Sequence, residues 1–194
     1  MFGLEWKCDM NMNKTISAVV PIYNEEENIR PFLARLEPVL EEIAESFEIV
    51  FVLDPSSDRS EDVVLNEINR SSAIKMLVMS RRFGQAAATM AGILSCGGDL
   101  CVVIDADLQD PPELIQDMYE KLQDGYDVVY ATRRSRKGEN YIKEKFSSLG
   151  YAVIDKVSEV PIPRDTGDFR IMTRRVIDEL RNLNESHASL RGLV

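Results

Sequence analysis

Short apolar runs alternate along this chain with longer stretches in which apolar residues recur every three or four positions. Residues 16–23, 48–53, 74–79, 100–104 and 128–130 are of the first kind, and each predicts a buried strand. Residues 29–47 are of the second kind: Ile29, Phe32, Leu33, Leu36, Val39, Leu40 and Ile43 share one helical face. Ser60, followed by Glu61 and Asp62, marks another helix start, with acids at the positive end of the helix dipole. Pro111 and Pro112 suit the first turn of a helix reaching about residue 123, with Asp110 as its cap and Gly125 as its stop. The alternation predicts an α/β fold: a mostly parallel central sheet flanked by helices on both faces. Such sheets bind ligands in the crevice beyond the carboxyl ends of their strands. Tyr23 to Glu25, Asp54 to Asp58, Asp105 to Gln109 and Thr132 to Arg134 all fall at those ends.

Length and composition narrow the field. A chain of 194 residues without internal repeat or low-complexity linker predicts one domain, over residues 15–194, behind an extension of residues 1–14. No segment approaches the roughly 18–20 uninterrupted apolar residues of a membrane-spanning helix. The first 14 residues also lack the apolar core of a secretory signal, so a cytoplasmic location is expected. The formal net charge of −10 argues against nucleic acid as a partner. Within that acidic chain, residues 133–145 carry Arg133, Arg134, Arg136, Lys137, Lys143 and Lys145 against Glu139 and Glu144. By itself such a run reads as a solvated face. Cys8, Cys96 and Cys101 show no metal-ligand spacing, and His187 is the one histidine, which makes zinc chemistry and a Ser-His-Asp triad poor candidates.

The sharpest chemical signal is the run Val102-Val103-Ile104-Asp105-Ala106-Asp107-Leu108-Gln109. A buried strand delivers two carboxylates, two residues apart, to its carboxyl end. Mg²⁺ and Mn²⁺ take oxygen ligands, commonly one or two carboxylates plus substrate phosphates. The same residues also read as a polar strand end leading into a helix, and the spacing alone leaves both readings open. Asp165-Thr166-Gly167-Asp168-Phe169-Arg170 reads as a turn.

Four segments in series resolve the ambiguity: Val19-Val20-Pro21-Ile22-Tyr23-Asn24-Glu25-Glu26-Glu27-Asn28-Ile29, Ser80-Arg81-Arg82-Phe83-Gly84, Asp105-Ala106-Asp107-Leu108-Gln109 and Gly167-Asp168-Phe169-Arg170. Together they resemble the family 2 glycosyltransferases, within them the polyprenyl-phosphate group that includes dolichyl-phosphate mannose synthases and bactoprenol glucosyltransferases. The resemblance implies a GT-A (Rossmann-like) fold, a nucleotide-diphosphate sugar donor, a polyprenyl phosphate acceptor at a membrane surface, Mg²⁺ or Mn²⁺, and inversion at the anomeric carbon. It implies that Pro21, Tyr23, Glu25, Asp54 and Asp105 hold the nucleotide-sugar. Asp105, Asp107 and Gln109 match the metal site, with Asp107 as the direct ligand. Arg133, Arg134 and Gln109 match the acceptor-phosphate site. Asp107, Arg133 and Asp168 are the expected catalytic residues, Asp168 as a positioning or weakly basic group and Arg170 fixing either its orientation or a phosphate.

The chain departs from the group's usual Val-Asp-Asp-Gly-Ser, reading Val52-Leu53-Asp54-Pro55-Ser56. Members of the group often continue into membrane-anchoring helices, which this sequence does not contain up to Val194. Association with the cytoplasmic side of a membrane is therefore expected of a longer context. A family 2 transferase with another glycan acceptor and a catalytically silent nucleotide-sugar-binding domain are the alternatives, and homo-oligomer formation is left open. A dinucleotide-binding oxidoreductase is disfavoured, because no Gly-x-Gly-x-x-Gly follows the first strand.

Overall fold

The computed structural model of the chain describes residues 14–132 and 166–182. Strands β1 (Thr15–Ile22), β2 (Ser46–Leu53), β3 (Ile74–Val78), β4 (Leu100–Val103), β5 (Val128–Thr132) and β6 (Thr166–Thr173) form one sheet in the order β3-β2-β1-β4-β6-β5. Helices α1 (Ile29–Ile43), α2 (Ser60–Arg70), α3 (Gln85–Ser95), α4 (Leu114–Gln123) and α5 (Arg174–Asn182) connect and flank it. β3, β2, β1 and β4 run parallel, whereas β6 is antiparallel to both β4 and β5.

The central strands are apolar on both faces, so successive side chains feed two cores. Ile16, Ala18, Val20 and Ile22 of β1 point into the larger one with Phe32, Leu36 and Leu40 of α1, Val64 of α2, and Ile115 and Tyr119 of α4. Val19 of β1, with Val50 and Val52 of β2, points the other way onto Ala88 and Ile93 of α3 and Ile177 and Leu180 of α5. Burying each such Leu, Ile or Phe contributes about 1.5–3 kcal/mol relative to exposure. On the second face, Gly92 lets α3 approach closely: a Cβ there would lie 2.3 Å from Val19 Cγ1 and 2.9 Å from Val52 Cγ2.

Three boundaries differ from the sequence expectation. α1 ends at Ile43, because the apolar alternation of β2 begins at Ser46 and takes Phe47 into the sheet. α4 begins at Leu114 rather than at the prolines; Glu113 holds the cap position without a side-chain cap bond, and Asp110 lies ahead of the helix. Residues 166–170, read as a turn, are strand: Phe169 and Ile171 fill one core and Met172 the other. Phe169 and Ile171 on one face and Met172 on the other outweigh the turn character of Gly167.

At the amino ends of the strands lies a buried polar cluster. Ser17 Oγ donates to Glu48 Oε1 at 2.6 Å, Gly97 N–H donates to the same oxygen at 2.6 Å, and Lys75 Nζ lies 2.5 Å from Glu48 Oε2. Nearby, Arg174 donates to the carbonyls of Cys96 and Gly98, and Arg181 donates to those of Leu94 and Cys96. These arginines satisfy the free carbonyls at the end of α3 and tie α5 to it.

Candidate functional site

The carboxyl ends of β1 and β4 open into a cleft of about 310 Å³ lined by Pro21, Tyr23, Glu25, Arg82, Gln85, Asp105 and Asp107, among others. Two loops build one wall. After β1, Asn24 adopts a positive φ of 56° and knits that loop to the one after β2. Its N–H donates to Ser56 Oγ at 3.0 Å, and its Oδ1 accepts from Ser57 N–H at 2.9 Å. Glu26 N–H donates to Asp58 Oδ2, and Arg59 N–H returns a bond to Glu26 Oε2 at 2.8 Å. These reciprocal bonds fix where Tyr23 and Glu25 stand.

Leu53, a departure from the family pattern, and Asp54, which keeps it, are both buried, whereas Pro55, the other departure, is exposed. Leu53 belongs to the larger core. Asp54 accepts from Gly84 N–H at 2.8 Å and from Phe83 N–H at 3.3 Å. Its carboxylate holds the loop that leads into α3, and Asp54 is not among the residues that line the cleft. Gly84, at φ 90°, supplies the turn that aims the amino end of α3 into the cleft.

Asp105 follows the end of β4, and the amide nitrogen of Gln85 donates to both its oxygens, at 2.8 and 2.9 Å. Burial pushes the Asp105 carboxyl up to about 6, and the neighbouring carboxylates of Asp107, Asp168 and Asp110 add to it against the opposing Gln85 bond. Carboxyls crowded so that they hold a proton in this way also favour a cation that would neutralise them. Leu108, at φ 60°, turns the chain sharply, and Gln109 N–H closes onto Asp107 Oδ1 at 3.0 Å. Among the described residues no three Asp, Glu, His or Cys side chains gather to hold a metal by themselves. Two cleft-lining carboxylates with open positions left for substrate oxygens nevertheless fit a hard divalent ion. Asp168 approaches from β6, its carboxylate 3.1 Å from the buried guanidinium of Arg170, which also donates to the Asp168 carbonyl.

Of the residues singled out in the sequence, Pro21, Tyr23, Glu25, Asp105 and Asp107 line the cleft together. Asp54 is buried against the loop at Gly84 and is not in the lining, Gln109 is exposed beside Asp107, and Asp168 reaches the carboxylates from the antiparallel strand. Arg133, Arg134 and the rest of the basic run lie outside the described residues, as do Cys8 and His187. The lining residues Arg82 and Gln85 carried no assigned role in the sequence. The Ser80-to-Gly84 motif and the helical stretch after it were the available signal.

Over residues 17–181 the chain matches the family model described as glycosyl transferase family 2. The chain belongs to that family. It is 43% identical over 185 residues to the uncharacterized glycosyltransferase YkcC of Bacillus subtilis (strain 168), covering 95% of this chain and 57% of the relative. To a bactoprenol glucosyl transferase of Shigella phage SfV it is 35% identical over 179 residues, covering 92% of this chain and 58% of the relative. The chain thus spans somewhat over half the length of these family 2 relatives. A glucosyl-3-phosphoglycerate synthase of Mycobacterium tuberculosis, solved with Mn²⁺, UDP and phosphoglyceric acid, superposes with a TM-score of 0.62. That match is 20% identical and covers 86% of this chain and 58% of the other. At that identity it shows the shared GT-A fold. Among the described residues no helix is long and apolar enough to cross a membrane.

Proposed function

We propose that this family 2 domain transfers a hexose, with inversion, from a nucleoside diphosphate sugar to a polyprenyl phosphate. The observation that carries the reading is the cleft itself, with Tyr23 and Glu25 beyond the end of β1 and the carboxylates of Asp105 and Asp107 beyond the end of its neighbour β4. An aromatic ring suits a base, and paired carboxylates suit the cation that accompanies a diphosphate. The family 2 relative named for bactoprenol supports the lipid acceptor, and the UDP and Mn²⁺ in the solved neighbour support the donor and metal classes.

In this reading Tyr23 and Glu25 hold the nucleoside, with Pro21 shaping the loop. Asp54 serves them by fixing the loop at Phe83 and Gly84. Asp107 and Asp105 hold Mg²⁺ or Mn²⁺, with Gln109 beside them. The metal, when bound, neutralises the diphosphate as it leaves. An acceptor phosphate oxygen forms the new bond to the anomeric carbon while the bond from that carbon to the donor diphosphate breaks, its electron pair departing with the nucleoside diphosphate. The acceptor phosphate is already ionised near neutral pH, so Asp168 positions it rather than acting as a strong base. Arg133 and Arg134 grip that phosphate, for which a guanidinium fork is well shaped. Positioning and charge stabilisation supply most of the rate.

The test combines calorimetric titration of UDP-glucose and GDP-mannose, with and without Mn²⁺, with a polyprenyl phosphate assay scored by label entering the organic phase. Metal-dependent binding of one donor and labelled lipid product are expected. Asp107→Ala should remove turnover by about a thousandfold or more while the fold persists. Full activity in that variant would sink the metal assignment. Donor binding with product confined to the aqueous phase would favour a different glycan acceptor.

A further inference from the structure

Arg82 is the one cation among the residues that line the cleft. The same lining carries Glu25, Asp105 and Asp107, yet among the described residues Arg82 makes no ion pair. Its guanidinium carbon instead lies 3.9 Å from the centroid of the Tyr23 ring. That is van der Waals stacking distance, so no planar group fits between the two. The backbone beneath is fixed, because Asp54 holds the N–H groups of Phe83 and Gly84. The Arg82 side chain itself is exposed and has room to swing.

We propose that Arg82 is a displaceable cover of Tyr23, exchanged for the base of a nucleoside diphosphate and then bound to its phosphates. The proposal rests on the donor-site reading above and adds a residue and an order of contacts to it. A nucleobase offers Tyr23 a larger stacking face than an exposed guanidinium does, so it wins the ring. The freed guanidinium then has five N–H donors, which suit the oxygens of the incoming diphosphate. Arg82 thereby opposes any ligand that has a base but no phosphates, and rewards one that has both. A residue that merely adds positive charge to the cleft would favour the phosphates without opposing the base.

The opposite signs make the test. Uridine, guanosine, UDP and GDP are titrated with Mn²⁺ into the unmodified protein, Arg82→Ala and Arg82→Lys, by calorimetry, with saturation-transfer NMR for the weak nucleosides. In Arg82→Ala the preferred nucleoside should bind about threefold more tightly, and its diphosphate about tenfold more weakly. Arg82→Lys, which keeps the charge and loses the planar fork, should fall between the two on the diphosphate. Nucleoside and diphosphate affinities that shift in the same direction, or stay unchanged in Arg82→Ala while the unmodified protein binds the diphosphate, would overturn the proposal for Arg82 alone. Failure of the unmodified protein to bind either diphosphate would remove the donor-site reading, and this proposal with it.

Discussion

The amide nitrogen of Gln85 lies within 2.9 Å of both carboxylate oxygens of Asp105. The first residue of α3 thereby meets the second residue beyond β4, and the contact bears on the charge state of the cleft. It is the counterweight to burial and to the three neighbouring carboxylates that raise the Asp105 carboxyl to about 6. Replacing the amide with an acid, Gln85→Glu, sets one more negative charge against Asp105. Nucleotide-free Mn²⁺ should then bind with altered affinity, and donor affinity should fall by about tenfold or more through repulsion of the diphosphate. Calorimetry of Mn²⁺ alone, followed by donor titration at saturating Mn²⁺, separates the two effects.

Asp54 should hold the loop at Phe83 and Gly84 in place. Asp54→Ala releases Phe83 and Gly84 N–H and leaves a hole at a buried position. Unsatisfied donors and the lost charge-assisted bonds should cost about 1–3 kcal/mol of stability. Hydrogen exchange should show the amides of Phe83 and Gly84 losing protection, with the amides of β1 retaining theirs. Unchanged protection at residue 84 would remove the clamp.

Glu48 should make the fold sensitive to acid. Burial favours its neutral form, but bonds from Lys75, Ser17 and Gly97 outweigh burial and hold its carboxyl below the usual glutamate range. A carboxyl whose folded value is depressed contributes fully above its unfolded value, and the contribution fades as pH falls through the folded one. Stability from this group should therefore be complete at neutral pH and decline below about pH 4.5. Glu48→Gln should lower the melting temperature at pH 7 and flatten the acid limb of a stability-against-pH curve. A variant curve parallel to that of the unmodified protein would show that Glu48 does not titrate in this way.

Gly92→Ala drives a methyl group into Val19 and Val52. Overpacking of this kind costs about 1–3 kcal/mol, and α3 must lift from the sheet to relieve it. Since α3 also carries Gln85, donor affinity should fall with stability. Ala91→Gly, one position earlier and only partly buried, should lower helix stability by at most about 1 kcal/mol and leave donor affinity unchanged. Comparable losses of donor affinity in both variants would point to general softening of the helix.

Much of this architecture is legible in the sequence because the central strands are apolar on both faces. The runs ending at Ile22, Leu53 and Ile104 require helices on either side, and the carboxyl ends of such strands place Tyr23 and Asp105 in one crevice. The strand β6 was harder to see. Asp168 and Arg170 interrupt its apolar residues, and their mutual ion pair, which makes a buried arginine tolerable, appears only once the strand is folded. Asp110 read as a helix cap because two prolines follow it, whereas the helix waits until Leu114. The role of Asp54 was hidden for another reason: its partners are backbone N–H groups about 30 residues away, which leave no side-chain signature in sequence. The motif holding Arg82 and the helical stretch holding Gln85 were visible, but their contacts with Tyr23 and Asp105 depend on how the chain enters the cleft at α3.

The Ser17–Glu48–Gly97 cluster and the arginines that grip the end of α3 sit at the amino ends of the strands, a full strand length from Asp105. These stabilising contacts thus sit apart from the chemistry on one scaffold. Selection of variants for survival of heating should enrich changes around Ser17, Glu48 and Arg174. Selection for a new donor should enrich changes at Tyr23, Arg82 and Gln85. Combining the two sets should give nearly additive gains, so that a heat-hardened version of the domain is a sound starting point for redirecting what it recognises.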